Sequence, residues 1–232
     1  KIYLLVNMRI KTLLLLFLLA SCTLEAQGYY LGVTGSLCAS RITSNITETD
    51  YFKVKNAPSA NAGIYVERTL NRYSSVGAEA LWVKMSGREG RENVPLFGYQ
   101  NFQLVQLGTA TDMLRLHSSY IALPLYYRLH KGAFGLRLGA QPMLFLDAHA
   151  HYSSTGTFEG QPTENHGRVD VDFRRFDWGP KIGLDYRFGK GFGLRIDYYH
   201  GIPNILEDGA GFRRQNRQLG IGIEKVVVSR KS

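Results

Sequence analysis

The chain has 232 residues, enough for one domain with a sizeable core. Its 28 Lys and Arg against 19 Asp and Glu leave a net charge of +9, scattered along the chain rather than gathered into a basic tail, which argues against a nucleic-acid partner. There are two cysteines, Cys22 and Cys38; with the first inside a leader, the second has no partner and a disulfide framework is excluded.

The leader comes first in the chain. Met8-Arg9-Ile10-Lys11 is a basic start, Leu13 to Ala20 is apolar, and Leu24-Glu25-Ala26 precedes Gln27 with a small residue at the cut. This pattern predicts a secretory signal peptide over 1–27, with 1–7 an over-extended start before Met8. The apolar part is too short for a bilayer span, which takes ~20 residues. Leu19-Ala20-Ser21-Cys22 also resembles a bacterial lipobox, in which Cys22 would carry the lipid. The plain signal peptide is the preferred reading, because a membrane barrel needs no lipid anchor. No later segment has a long apolar run, so the remaining 28–232 is predicted as one domain without helical spans.

Period-two alternation then marks eight strands, near 29–41, 60–70, 75–86, 113–129, 133–148, 173–188, 192–202 and 212–226. The third is ambiguous, since Leu81 and Trp82 compete for the same face. In the fifth, Phe134, Leu136, Leu138, Ala140, Leu144 and Leu146 oppose Gly135, Arg137, Gly139, Gln141 and Asp147. The sixth and seventh form the clearest pair. Phe176, Trp178, Pro180, Ile182, Leu184, Tyr186 and Phe188 oppose Asp177, Gly179, Lys181, Gly183, Asp185 and Arg187. After Gly189-Lys190-Gly191, Phe192, Leu194, Ile196 and Tyr198 oppose Gly193, Arg195, Asp197 and Tyr199. One face is bulky and apolar, the other mixes Gly with charge. A soluble calyx in the periplasm would put the large apolar residues inside; this pattern fits a barrel whose outside meets lipid. A one-residue slip would carry Arg137 into lipid at a cost of ~2–4 kcal/mol near the midplane.

Connections alternate between short (71–74, 130–132, 189–191) and long (42–59, 87–112, 149–172). The expected fold is an all-β, eight-stranded antiparallel up-and-down transmembrane barrel with short periplasmic turns and long extracellular loops, in the cell outer membrane. Its partners are expected to be outer-membrane lipid and lipopolysaccharide, with envelope or secretion-system proteins as further candidates.

An eight-stranded barrel has room for side chains and little else. Glu67, Glu79, Arg137, Asp177, Lys181, Asp185, Arg187, Arg195, Asp197 and Glu224 are assigned inward. Buried charges must be paired, so an ion-pair network and a closed lumen are expected. The motif nearest a site is Asp147-Ala148-His149-Ala150-His151, where spacing of two places three polar groups on one strand face, as a transition metal or a rim hydrolase would require. The bland reading is a polar strand end, and it is preferred. His117-Ser118-Ser119 resembles the His-x-Ser of lipid A deacylase barrels, yet residues 130–146 hold no carboxylate to complete it. No phosphate loop, Cys-x-x-Cys set or triad is present, so neither catalysis nor a cofactor is expected.

Tyr120-Ile-Ala-Leu-Pro-Leu-Tyr-Tyr-Arg-Leu129, Phe176-Asp-Trp-Gly-Pro-Lys-Ile-Gly183 and Tyr198-Tyr-His-Gly-Ile-Pro-Asn-Ile205 resemble strand motifs of the PorT-like outer-membrane barrels of Bacteroidetes. The resemblance covers roughly 28–226 and implies an integral outer-membrane protein; the family's namesake is linked to type IX protein secretion. One departure is that residues 226–232 lack the aromatic finish usual in such barrels; either a short tail follows the last strand or assembly recognition differs.

Overall fold

Alternating sequence becomes alternating exposure in a single antiparallel sheet. The computed structural model describes residues 28–44, 52–100, 102–171, 173–206 and 213–231; the leader, with Cys22, lies outside them. The strands are β1 (Gly28–Ser44), β2 (Phe52–Asn71), β3 (Ser74–Gln100), β4 (Gln103–Ala122), β5 (Leu125–Lys131), β6 (Phe134–Phe158), β7 (Gln161–Asp170), β8 (Phe176–Phe188), β9 (Phe192–His200) and β10 (Arg214–Lys231).

These ten strands make eight staves. β4 and β5 are one stave broken at Leu123-Pro124, where proline has no N–H for the ladder. Glu79 N donates to Pro124 O at 2.8 Å and Leu123 N to Pro142 O at 2.9 Å, which keeps the two halves in line. β7 pairs only with β6, beyond the ring. Each remaining stave pairs with the next, and β10 pairs with β1, so the sheet closes on itself. Tight turns join β5 to β6 and β8 to β9; Gly132 (φ 62°) and Gly191 (φ 75°) occupy the left-handed region that other residues avoid.

The burial is inverted relative to a water-soluble core. Ile221 and Ile223 are 64% and 61% exposed, while Glu224 beside them is 1% exposed. Outward residues form a continuous apolar band: Ile182 and Leu184 on β8, Leu194 and Ile196 on β9, Leu136 and Leu138 on β6. On β6 the band runs from Phe134 to Leu144, matching the ~9–11 residues a tilted strand needs to cross a bilayer. Near the tight turns aromatic rings meet across strands, Phe134 with Tyr186 at 4.7 Å and Phe188 with Phe192 at 6.2 Å between centroids. Trp82 and Trp178 are exposed near the other edge, and Leu81 points inward, which resolves the ambiguity in the third strand.

Four expectations are corrected. The segments 87–112 and 149–172 are not long loops. β3 and β4 continue as one hairpin to Gln100 and Gln103, and β6 and β7 as another to Phe158 and Gln161, because strand pairing satisfies the backbone of both arms. The last strand does not stop at 226. It runs to Lys231 opposite Gly28, after the register shifts at Leu31 and Gly32 and leaves Val227 as an extra residue in the valine run. Asp147 does not share a face with Arg137. The register jumps from Tyr120–Phe145 to Ser119–Asp147, and the bulge at Leu146 turns Asp147, His149 and His151 outward and Ala148 and Ala150 inward. Charge also does not line the whole interior. The half of the lumen beyond the bulge is mainly apolar, packed with Leu81, Val83, Met85, Tyr120 and Met143 and, above them, Ile42, Leu116, Phe173 and Ile205, with Asp177, Asn216 and the Glu89–Arg214 ion pair buried among them.

Candidate functional site

The lumen half nearest the tight turns gathers the inward charges of seven staves. Arg137 on β6 bonds Asp185 on β8 through Nε at 3.0 Å, Glu79 on β3 at 3.4 Å, and Glu224 on β10. Arg187 grips Glu67 on β2 with two bonds of 2.8 and 2.6 Å and reaches Glu224 at 2.7 Å. Arg195 and Lys181 converge on Glu79 at 2.8 and 2.9 Å. Arg195 also bonds its strand neighbour Asp197. Five cations (Arg128, Arg137, Lys181, Arg187, Arg195) meet five carboxylates (Glu67, Glu79, Asp185, Asp197, Glu224), so the set is neutral. Such pairing offsets the desolvation that makes a lone buried charge so costly.

Inward glycines make room for these long side chains. A Cβ on Gly135 would lie 2.6 Å from Arg128 Nε and Asp185 Oδ1, and one on Gly193 2.8 Å from Glu224 Cγ. Hydroxyl groups complete Glu67: Ser75 Oγ donates at 2.8 Å and Tyr126 OH at 3.2 Å.

Nine of the ten residues assigned inward from the sequence meet in this cluster. Asp177 stands apart, in the apolar half, accepting from Asn216 Nδ2 at 2.8 Å. Arg128 was missed. It lies on the inward side with Tyr126 and binds Asp185 in a fork, Nη2 to Oδ2 at 2.6 Å and Nε to Oδ1 at 2.9 Å. Its parity with Tyr126 was the available signal. Ile205 comes from a connecting segment, and Phe173, read as the start of the sixth strand, lies ahead of β8 in an isolated bridge to Leu206, because β8 begins only at Phe176.

The second cluster is on the outside, beyond the apolar band. His117 on β4 faces His149 on β6, and His151 follows on the same side; ring centroids are 5.3 to 6.2 Å apart. Ser86 Oγ and His117 Nδ1 share a hydrogen bond of 3.1 Å. Ser119 faces Asp147, and Ser118 is buried on the inner side. Burial, then the electrostatic influence of His149, His151, Lys84 and Arg115, holds the His117 imidazole below its ordinary value. Among the described residues no group of three or more His, Cys, Asp or Glu is arranged to hold a metal ion, so the geometry lends Asp147, His149 and His151 no support as ligands.

The family described as "Outer membrane protein beta-barrel domain" matches residues 25–207. No curated protein is significantly similar in sequence. Solved structures of similar fold include Neisserial surface protein A, 12% identical over 84% of this chain and 96% of that one, TM-score 0.43. Ail, the attachment invasion locus protein of Yersinia pestis, is 11% identical over 85% and 99%, TM-score 0.37. The outer membrane protein OprG of Pseudomonas aeruginosa is 10% identical over 89% and 97%, TM-score 0.35.

Removing Arg137 leaves three carboxylates short of a partner. Arg137→Ala is expected to cost ~3–5 kcal/mol, seen as a lower urea midpoint of the refolded protein, whereas the outward Asp147→Asn should stay within about 0.5 kcal/mol of the parent. Equal midpoints for the two variants would remove the network from its structural role.

Proposed function

The chain belongs to the outer membrane β-barrel protein family and is integral to the outer membrane, and from that premise we propose that it is a non-enzymatic barrel with a closed lumen, serving envelope structure or surface interaction. The observation that carries the reading is the neutral five-by-five ion cluster, backed by the apolar layer of Leu81, Met85, Tyr120, Phe173 and Ile205. Side chains fill both halves of an eight-stave lumen, which has no width to spare. What projects from the membrane is the pair of hairpins β3–β4 and β6–β7, and these offer the surface for partners. Liposomes carrying the refolded protein should swell in small sugars no faster than protein-free ones. Rapid, protein-dependent swelling would make it a pore.

The motifs at 120–129, 176–183 and 198–205 support a PorT-like member of that family, with a part in type IX secretion through the tight-turn end. A deletion strain would then lose exported proteins from its medium; an unchanged set of secreted proteins rejects this role.

A further inference from the structure

Beyond the apolar band, the register stacks basic residues side by side on the outer face. Lys55 faces Arg88, Arg88 faces Arg115, Arg115 faces His151, and His151 faces Arg168, one from each of β2, β3, β4, β6 and β7. Strands lie ~4.7–4.9 Å apart, so the row runs about 19 Å around the barrel. Nearer the band lie His117 and His149, and below them Lys84 opposite Ser119. On the far side Arg41 faces Arg217, which faces His200.

Like charges directly opposite across strands are destabilising, so such a row calls for an outside anion. The acids on this face are few and partly engaged. Glu92 takes Lys53 and Lys55, Asp170 comes within 3.9 Å of Arg168, Asp147 stands opposite Ser119, and Glu164 lies four residues from Arg168 toward the hairpin tip, opposite Thr155. Among the described residues no carboxylate lies within ion-pair distance of Arg88 or Arg115. At a strand rise of ~3.3 Å and a tilt near 40°, the basic rows stand roughly 5 to 15 Å above the last apolar residues, Ile121 and Trp82. That is the level of lipid phosphates, not of the aqueous bulk. Guanidinium groups bind phosphate through paired, charge-assisted hydrogen bonds.

We propose that this outer face is a docking surface for the phosphate groups of outer-leaflet lipopolysaccharide, with Arg88, Arg115 and Arg168 as the phosphate-binding residues. The proposal rests on the outer-membrane placement and is independent of the closed lumen, so a swelling result does not bear on it.

The test titrates refolded protein in detergent micelles with lipopolysaccharide, with enzymatically dephosphorylated lipopolysaccharide, and with inorganic phosphate. The combined variant Arg88→Ser, Arg115→Ser, Arg168→Ser should keep the gel shift on boiling that marks a folded barrel, yet bind intact lipopolysaccharide about ten-fold more weakly or worse. The matching Arg→Lys variant should retain most of the affinity. Dephosphorylated lipid should bind weakly to parent and variant alike, and inorganic phosphate should compete only in large excess. Should the serine variant fail to fold, Arg115→Ser alone should weaken binding about three-fold. Unchanged binding by the serine variants, equal affinity for dephosphorylated lipid, or saturation by inorganic phosphate with no preference for the lipid would overturn the proposal.

Discussion

The ten charges of the lumen cluster must find their counter-charges inside a barrel only a few side chains wide. The cost of an unpaired ion there exceeds that of most packing errors, so the pairing dictates the register. Arg137 shows how. One guanidinium on β6 touches carboxylates on β3, β8 and β10, so a slip of any of these staves breaks contact with it. Arg187 ties β8 to β2 and β10 in the same way. The glycines at 135 and 193 follow from this, because the space a Cβ would need is taken by the ions.

Once register is set by the inside, the outside is set too. Alternation sends the partners of Asp185, Arg187, Arg195 and Glu224 outward, and those partners are Leu184, Tyr186, Leu194 and Ile223. An apolar band of that height is stable only against lipid. Along the barrel the lumen packing changes from mostly charged to mostly apolar. The ion cluster fills the half near the tight turns, and Phe173 and Ile205, held by the bond from Arg174 N to Ile205 O at 2.8 Å, fill the half below the hairpins. Above the band the strands continue as paired hairpins, which leaves the basic outer face on a rigid sheet instead of on loops.

Much of this was legible because membrane staves alternate strictly. In β8 and β9 each residue's side could be read directly, and the inward charges followed. What escaped the sequence depends on the neighbouring strand. The bulge at Leu146 is one extra residue relative to β4, and it alone moves Asp147, His149 and His151 from lumen to exterior. The hairpin arms beyond residues 87 and 149 carry mixed, polar sequence; their strand character comes from pairing with each other, not from alternation. Arg128 was visible by parity but sits two residues from Tyr126 in a short run after Pro124, where the break hides the continuity of the stave. The basic row from Lys55 to Arg168 is drawn from five strands, and only the register brings it together.

The pairing of the lumen charges is open to direct observation by following the side-chain Nε–H protons of the arginines by NMR in micelles after transfer to heavy water. The account predicts that the signals of Arg128, Arg137, Arg187 and Arg195 persist long after those of Arg88, Arg115 and Arg168 have exchanged. Exchange of both sets at the same fast rate would mean that water fills the lumen, and would contradict the ion cluster as the element that holds and closes the barrel.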